Sequence, residues 1–201
     1  RFLEDFTEVN VEGVFEIVLE EGDPGIQIDG DENLIPLIKT NVTGSRLKVD
    51  TEDKFLNSEH LVLTIYYDEI DAFTLSGAGE VKTKGKLKAN DFHFSLNGAG
   101  NAELELDVND FELDLNGGGD MLLFGKAEEA SYEISGAGEV KAFELKTKAA
   151  SVDVAGAGDL ELYVTDELDV DVSGAGDVIY MGSPQVSQSI SGAGSITQKS
   201  K

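Results

Sequence analysis

Carboxylates are the residues of this chain best suited to chemistry, and two sets of them recur at a regular interval. Asp114, Glu133, Asp153 and Asp171 form one set; Asp120, Glu139, Asp159 and Asp177 form the other, each with steps of 18 to 20 residues. Calcium takes about six to eight oxygens from carboxylates, carbonyls and water, so stacked acids are the natural place to look for it. The spacing matches neither an EF-hand loop nor the nonapeptide calcium roll. Neighbouring carboxylates about 5 Å apart repel in water by only about 1 kcal/mol before salt screening. The eight are therefore read as a solvated face that binds cations weakly if at all.

Other chemistry finds less support. The chain has two histidines, His60 and His93, and no cysteine. Thiolate metal sites, disulfides and cysteine nucleophiles are excluded, and two scattered imidazoles propose neither a metal site nor a triad. His93 sits at an outward position of its strand and reads as a surface residue. A glycosidase needs two carboxyls at a set separation, and among so many Asp and Glu residues no pair stands out. The expectation is no catalytic residue, no metal and no cofactor.

What positions the acids is a glycine signature. Seven Gly-X-Gly turns occur at Gly77/Gly79, Gly98/Gly100, Gly117/Gly119, Gly136/Gly138, Gly156/Gly158, Gly174/Gly176 and Gly192/Gly194, with X an alanine or, once, Gly118. Successive first glycines are 21, 19, 19, 20, 18 and 18 residues apart. Two residues before each, and four before all but the last, where Gln188 stands, are apolar side chains, such as Leu75 and Phe73 or Val172 and Val170, with polar residues between. That alternation marks strands with one buried face, and a period near 19 marks a solenoid. Antiparallel hairpins would need similar turns about every 8–12 residues. The sequence predicts an all-β, right-handed, single-stranded parallel β-helix whose coils hold three short strands. Glycines with positive φ would bend the chain over a crowded interior. A polar ladder (Ser76, Asn97, Asn116, Ser135, Ala155, Ser173, Ser191) would stack beside the turns.

A second column is apolar: Phe124, Phe143, Tyr163 and Met181, each seven residues after a first glycine. Strict alternation puts it outside, as an oligomer or partner surface; a bend would turn it inward as an aromatic stack, and this inward reading is the expected one. Lys82, Lys84, Lys86 and Lys88 form the one basic stripe, blunting an exposed strand.

Residues 1–72 lack the turn and are expected to form an N-terminal cap and irregular first coils, with residues 73–201 the regular β-helix of one continuous domain. Within the cap, Phe6–Leu19 reads as a strand broken at Gly13. Residues 31–39 read as a short helix with Asp31 as N-cap, limited by Pro36. Ile26–Ile28, Leu47–Val49 and His60–Tyr67 read as strands. Gln188 and the polar Ser195–Lys201 tail read as a C-terminal cap.

The net charge is −25, from 40 acidic and 15 basic residues. Such a chain repels nucleic acid and anionic lipid or polyuronate surfaces. No apolar run approaches the roughly 20 residues of a membrane-spanning helix. Starting at Arg1, the chain reads as a processed or trimmed form.

Several stretches together carry a family resemblance. They are Phe6–Leu19 followed by Gly22-Asp23; Gly30-Asp31-Glu32-Asn33-Leu34; Ile38-Lys39-Thr40; Leu47-Lys48-Val49; and the Ser-Gly-Ala-Gly turns. Across essentially its whole length the chain resembles the head GIN domain family of putative auto-transporter adhesins of Bacteroidetes. The resemblance implies a β-helical fold and an exported protein, in the periplasm or at the cell surface, often lipid-anchored through its removed N-terminus. It implies no catalytic residues. The leading expectation is a non-catalytic binding, scaffolding or adhesion-like module of the cell envelope, with a glycan or protein partner. The alternatives are a β-helical polysaccharide lyase or hydrolase, and a cation-binding or self-associating structural protein. A homo-oligomer is compatible with either non-catalytic class.

Overall fold

A computed structural model describes residues 1–51 and 61–200, which leaves His60 and Lys201 outside. About 74% of the chain is strand, wound into a β-solenoid of about six turns. The elements are β1 Glu8–Glu21, β2 Gly25–Asp29, a 3-10 turn Ile35–Leu37, β3 Ile38–Thr43, β4 Arg46–Thr51, β5 Val62–Tyr67, β6 Ala72–Lys84 and β7 Leu87–Leu115. They continue as β8 Asp120–Ile134, β9 Glu139–Val154, β10 Asp159–Val172, β11 Asp177–Met181, β12 Gln185–Ile190 and β13 Ser195–Gln198. From β1 through β6 to β10 each coil stacks in parallel on the next, with β11 and β12 on β10 and β13 on β11.

The stacking is in register, so each column along the solenoid repeats one kind of residue. Inward columns supply the core, which runs from Phe6 to Val178 as a single cluster. Its aromatics stack on one another: Phe73 on Phe94 at 5.5 Å, and Phe92 on Phe111 at 6.3 Å, with Tyr132 edge-on to Phe111 at 6.2 Å.

Several expectations change. Strands do not stop at every bend: β7 alone runs 29 residues, because in-register stacking carries the ladder hydrogen bonds round the corners. Gly98 and Gly100 therefore lie inside β7, and Gly77 and Gly79 inside β6, rather than in turns between separate strands. Among the turn glycines only Gly77, Gly79 and Gly119 have positive φ; the others, Gly100 and Gly194 included, do not.

The glycines are required for another reason. At each turn the missing Cβ would point along the solenoid axis into the preceding coil: at Gly98 it would lie 1.9 Å from the Gly77 carbonyl oxygen, and at Gly136 1.7 Å from that of Gly117. The second glycines meet the same obstacle. A Cβ at Gly100 would lie 2.5 Å from the Gly79 oxygen, and one at Gly194 2.0 Å from the Gly176 oxygen. The middle alanines Ala137, Ala157 and Ala175 face solvent, while Gly138, Gly158 and Gly176 are buried. Gly100 and Gly194 are half-buried; a Cβ at Gly100 would meet only the Gly79 backbone, whereas one at Gly194 would also lie 2.9 Å from the buried Val172 side chain. The crowding comes from the preceding coil: from its backbone at the first glycines, and at Gly138, Gly158, Gly176 and Gly194 also from its core side chains Leu115, Ile134, Val154 and Val172.

The N-terminal third is more regular than expected. Gly13 is no break. It pairs with Gly77, and Val14 with Ala78, so β1 is itself a coil, and the glycine column begins there. The irregularity lies in β2 and β3, which pair antiparallel with β5 and β4. The expected helix shrinks to the 3-10 turn. Leu34 is its N-cap and makes no side-chain cap bond; Asp31 contributes its carbonyl, which accepts the Leu34 and Ile35 amides. Pro36 removes an amide within the first turn, and Ile38 is already extended and buried. At the other end Gln188 lies in β12, every residue of which is exposed, and the polar tail begins as β13, which pairs with β11.

Candidate functional site

The strand preceding each Gly-X-Gly presents three outward columns on one face. The first holds Asp91, Asp110, Glu129, Ala149 and Glu167; the next His93, Glu112, Ser131, Ser151 and Asp169; the third Asp114, Glu133, Asp153 and Asp171, continued at the buried Ser95. Direct pairings place Asp110 beside Glu129, Asp114 beside Glu133 and then Asp153, and Asp153 beside Asp171. Side-chain size shapes this face. Ser131, Ala149 and Ser151 are small, with Ala130 and Ala150 beneath them where neighbouring coils carry Phe111 and Leu168. A groove of about 460 Å³ results, walled by Asp110, Glu112 and Glu129 on one side and by Glu167 and Asp169 on the other.

Charge is concentrated there. Asp110 shares a hydrogen bond with Asp91, and this pairing, together with partial desolvation and the charges of Asp91 and Glu129, holds its carboxyl above the usual carboxylate range. His93 accompanies the acids. Its Nε2 lies 2.9 Å from Asp114 Oδ2, and His93, Glu112 and Asp114 bring ligand atoms within 4.8 Å of one another. Imidazole with two carboxylates is a donor set that divalent transition metals accept. The sequence reading left His93 isolated; adding one coil length to it would have pointed to Glu112.

The second acidic set also stacks, Asp120 on Glu139 and Glu139 on Asp159. Two of its aspartates, Asp159 and Asp177, are occupied by the fold. The Asp177 amide donates to Asp159 Oδ1 at 2.9 Å, and the Ser195 amide and hydroxyl donate to Asp177 Oδ1 at 2.9 and 2.7 Å. Asn101 accepts the Asp120 amide in the same way. At these three steps the column tacks one coil to the next, whereas the Glu139 and Asp159 amides donate to the Gly119 and Gly138 carbonyls instead. Glu139 is paired with Lys141 at 2.7 Å.

The apolar set does not enter the core and does not form one column. Leu123, Ala142 and Leu162 take the inward positions, leaving Phe124, Phe143, Tyr163 and Met181 half-buried on the outside. Tyr163 pairs with Met181, Phe124 faces Glu144, and Phe143 lies between the shifted registers of β9, under the Lys199 ammonium at 4.6 Å from its ring centre. The lysine stripe is split by Gly85 between β6 and β7. Lys82 and Lys84 pair with Glu80 and Glu20, each at 2.9 Å, rather than standing as a basic surface. The polar ladder makes a direct step where Asn116 Nδ2 donates to Asn97 Oδ1 at 3.2 Å. Among the described residues no helix is long and apolar enough to cross a membrane.

Residues 5–184 match the family described as putative auto-transporter adhesin, head GIN domain. A putative adhesin from Bacteroides fragilis superposes with a TM-score of 0.92 at 24% identity, covering 99% of this chain and 94% of that one. A putative lipid binding protein from Parabacteroides distasonis superposes with a TM-score of 0.80 at 25% identity, covering 98% and 94%. A putative adhesin from Parabacteroides merdae follows with a TM-score of 0.68 at 20% identity, covering 100% and 94%. No curated protein matches the chain in sequence.

Proposed function

Because the chain belongs to the putative auto-transporter adhesin, head GIN domain family, we propose that it is a non-catalytic, adhesion-like binding module acting outside the cytoplasm, at the cell envelope. Its recognition surface is the acidic face before the Gly-X-Gly turns, and its partner there is a basic protein surface. The observation that carries this reading is the groove itself: small side chains make the floor, carboxylates make both walls, and the ladders beneath hold it rigid. A preformed surface binds without a large ordering cost, and a one-sign charged groove raises the local concentration of oppositely charged partners.

The test is fluorescence anisotropy of a labelled oligolysine peptide. Binding at about 0.05 M salt that weakens steeply toward about 0.5 M, and that falls in Asp110→Asn/Glu129→Gln with the fold intact, supports the reading. Binding unaffected by those substitutions would sink it. Binding of anionic vesicles in place of the peptide would favour the lipid-binding role named for the Parabacteroides distasonis protein. Fractionation of cells making the full-length protein, followed by immunoblotting, checks the location; recovery in the cytoplasm overturns that part.

A further inference from the structure

The last coil departs from the rest of the molecule in three ways. Its backbone edge is open: among the described residues β12 pairs only with β10, and β13 only with β11, so one row of amides and carbonyls on each has no neighbouring strand. Its inward column is uncovered. Val186 stands over buried Leu168 and Ile190 over buried Val172, yet they are 37% and 45% exposed. Its acids vanish, and the charge that remains is on Lys199, which follows β13 and lies over the Phe143 ring, and on Lys201. In register with Glu167, Asp169 and Asp171 on β10 stand Gln185, Ser187 and Ser189, and in register with Asp177 stands Ser195. Residues 178–201 contain none of the chain's 40 acids.

Exposed strand edges are normally blunted with charge, especially lysine, or covered. Here neither β12 nor β13 holds a charged residue, and the acidic columns of a molecule of net −25 stop one coil short of the edge. Carboxylates continuing the columns onto this coil would confront one another across any contact between two copies. Their replacement by Gln and Ser removes that repulsion at this end alone. The opposite end keeps acids, with Glu4, Asp5, Asp31 and Glu32, and its outer strand β3 runs antiparallel to β4, so it does not continue the parallel coil.

We propose that the C-terminal coil is a self-association surface, on which a second copy of this chain docks its own C-terminal coil about a two-fold axis. The two β12 strands then pair antiparallel, with Val186 opposite the partner's Ile190 and the two Gln188 side chains facing each other. The two cores become continuous, and each copy's exposed edge is closed. An isologous contact of this kind stops at the dimer.

Sedimentation velocity from about 5 to about 200 µM, at about 0.15 M salt, should show the 21.5 kDa chain converting to a species of twice that mass. Gln185→Glu/Ser187→Asp/Ser189→Asp gives the last coil the acids its neighbour already carries in the same outward columns. This variant should remain monomeric at the highest concentration with an unchanged Tm, and should dimerise partly at about 1 M salt. Amide exchange in β12 of the unaltered chain should slow at least tenfold between the lowest and highest concentrations. A chain that stays monomeric throughout overturns the proposal, as does a triple variant that dimerises like the parent. Growth beyond the dimer as concentration rises would show head-to-tail stacking and overturn it equally. Should the triple variant misfold, concentration-independent exchange in β12 of the parent decides against the surface.

Discussion

Asp110 carries the acidic face's tension in a form that titrates. Its shared hydrogen bond with Asp91 and the nearby Glu129 charge raise its affinity for a proton in the folded state. A raised carboxyl contributes stability in full below the ordinary value of about 3.9, and that stability is lost as pH rises through the folded value. Asp107 runs the other way. Lys126, 2.9 Å distant, lowers its pKa, so its contribution holds above the ordinary value and is lost as pH falls through the lowered one. Acidifying from neutrality to just above the ordinary carboxylate range should therefore raise Tm, and further acidification should lower it. Circular dichroism melts at stepped pH check this, and Asp110→Asn should flatten the initial rise. A Tm that falls monotonically from pH 7 would contradict the argument. At this scale the sequence was only partly legible. The acidic sets could be counted off at the coil interval, but His93, Glu112 and Asp114 share no local motif, and the groove depends on small residues from different coils. Such a site becomes visible only when every outward position, not just the repeated ones, is stacked on its neighbour.

Between coils, the glycine column sets the tolerance of the fold. At Gly117 an added Cβ would sit 1.8 Å from the Gly98 carbonyl oxygen, which itself accepts the Gly118 amide at 2.9 Å. Gly117→Ala must push two coils apart and break ladder bonds, so it should cost about 4 kcal/mol or more or prevent folding. Gly118→Ala is the matched control. Its Cβ would meet only the Ala137 oxygen, at 3.8 Å, and the other six turns already carry alanine there. By restricting the unfolded chain it should stabilise by about 0.4–1 kcal/mol. Urea midpoints at constant slope measure both; a tolerated Gly117→Ala would show that the coils are less closely stacked than described. The period made this column readable in advance, although positive φ was the wrong reason for most of it. The apolar set shows the limit of the same method. The coil from Gly136 to Gly156 is 20 residues long between neighbours of 19 and 18. The extra residues are absorbed as register shifts opposite Leu122–Phe124 and Leu162–Tyr163. Counting from the glycines therefore aligned Phe143 with Phe124 and Tyr163, whereas the ladder does not. A bulge moves side chains without leaving a mark in the pattern, because apolar residues lie on both sides of it.

For the molecule as a whole, a net charge of −25 on a narrow solenoid means that any cation in solution should stabilise it by screening. The question is whether calcium does more. Selective binding needs oxygens released from other duties and gathered at about 2.3–2.6 Å. The turn carbonyls are spent on the next coil: those of Gly117, Gly136, Gly156 and Gly174 accept the amides of Ala137, Ala157, Ala175 and Ala193 at 2.8–3.0 Å. Asp159 and Asp177 each commit an oxygen to a backbone amide of the next coil. What remains is a row of single, solvated carboxylate oxygens on each rung, which suits loose accumulation of ions rather than a closed cage. Millimolar calcium and magnesium should thus raise Tm by similar small amounts, and sodium chloride at about 0.15 M should suppress most of both effects. Tight binding to the folded state would instead add stability as RT ln(1 + [L]/Kd), undiminished by that salt. Differential scanning fluorimetry with the two ions in parallel separates the cases. A large shift with calcium alone, abolished in Asp159→Asn or Asp177→Asn, would mean that the second acidic column holds a true cation site despite its role in joining the coils.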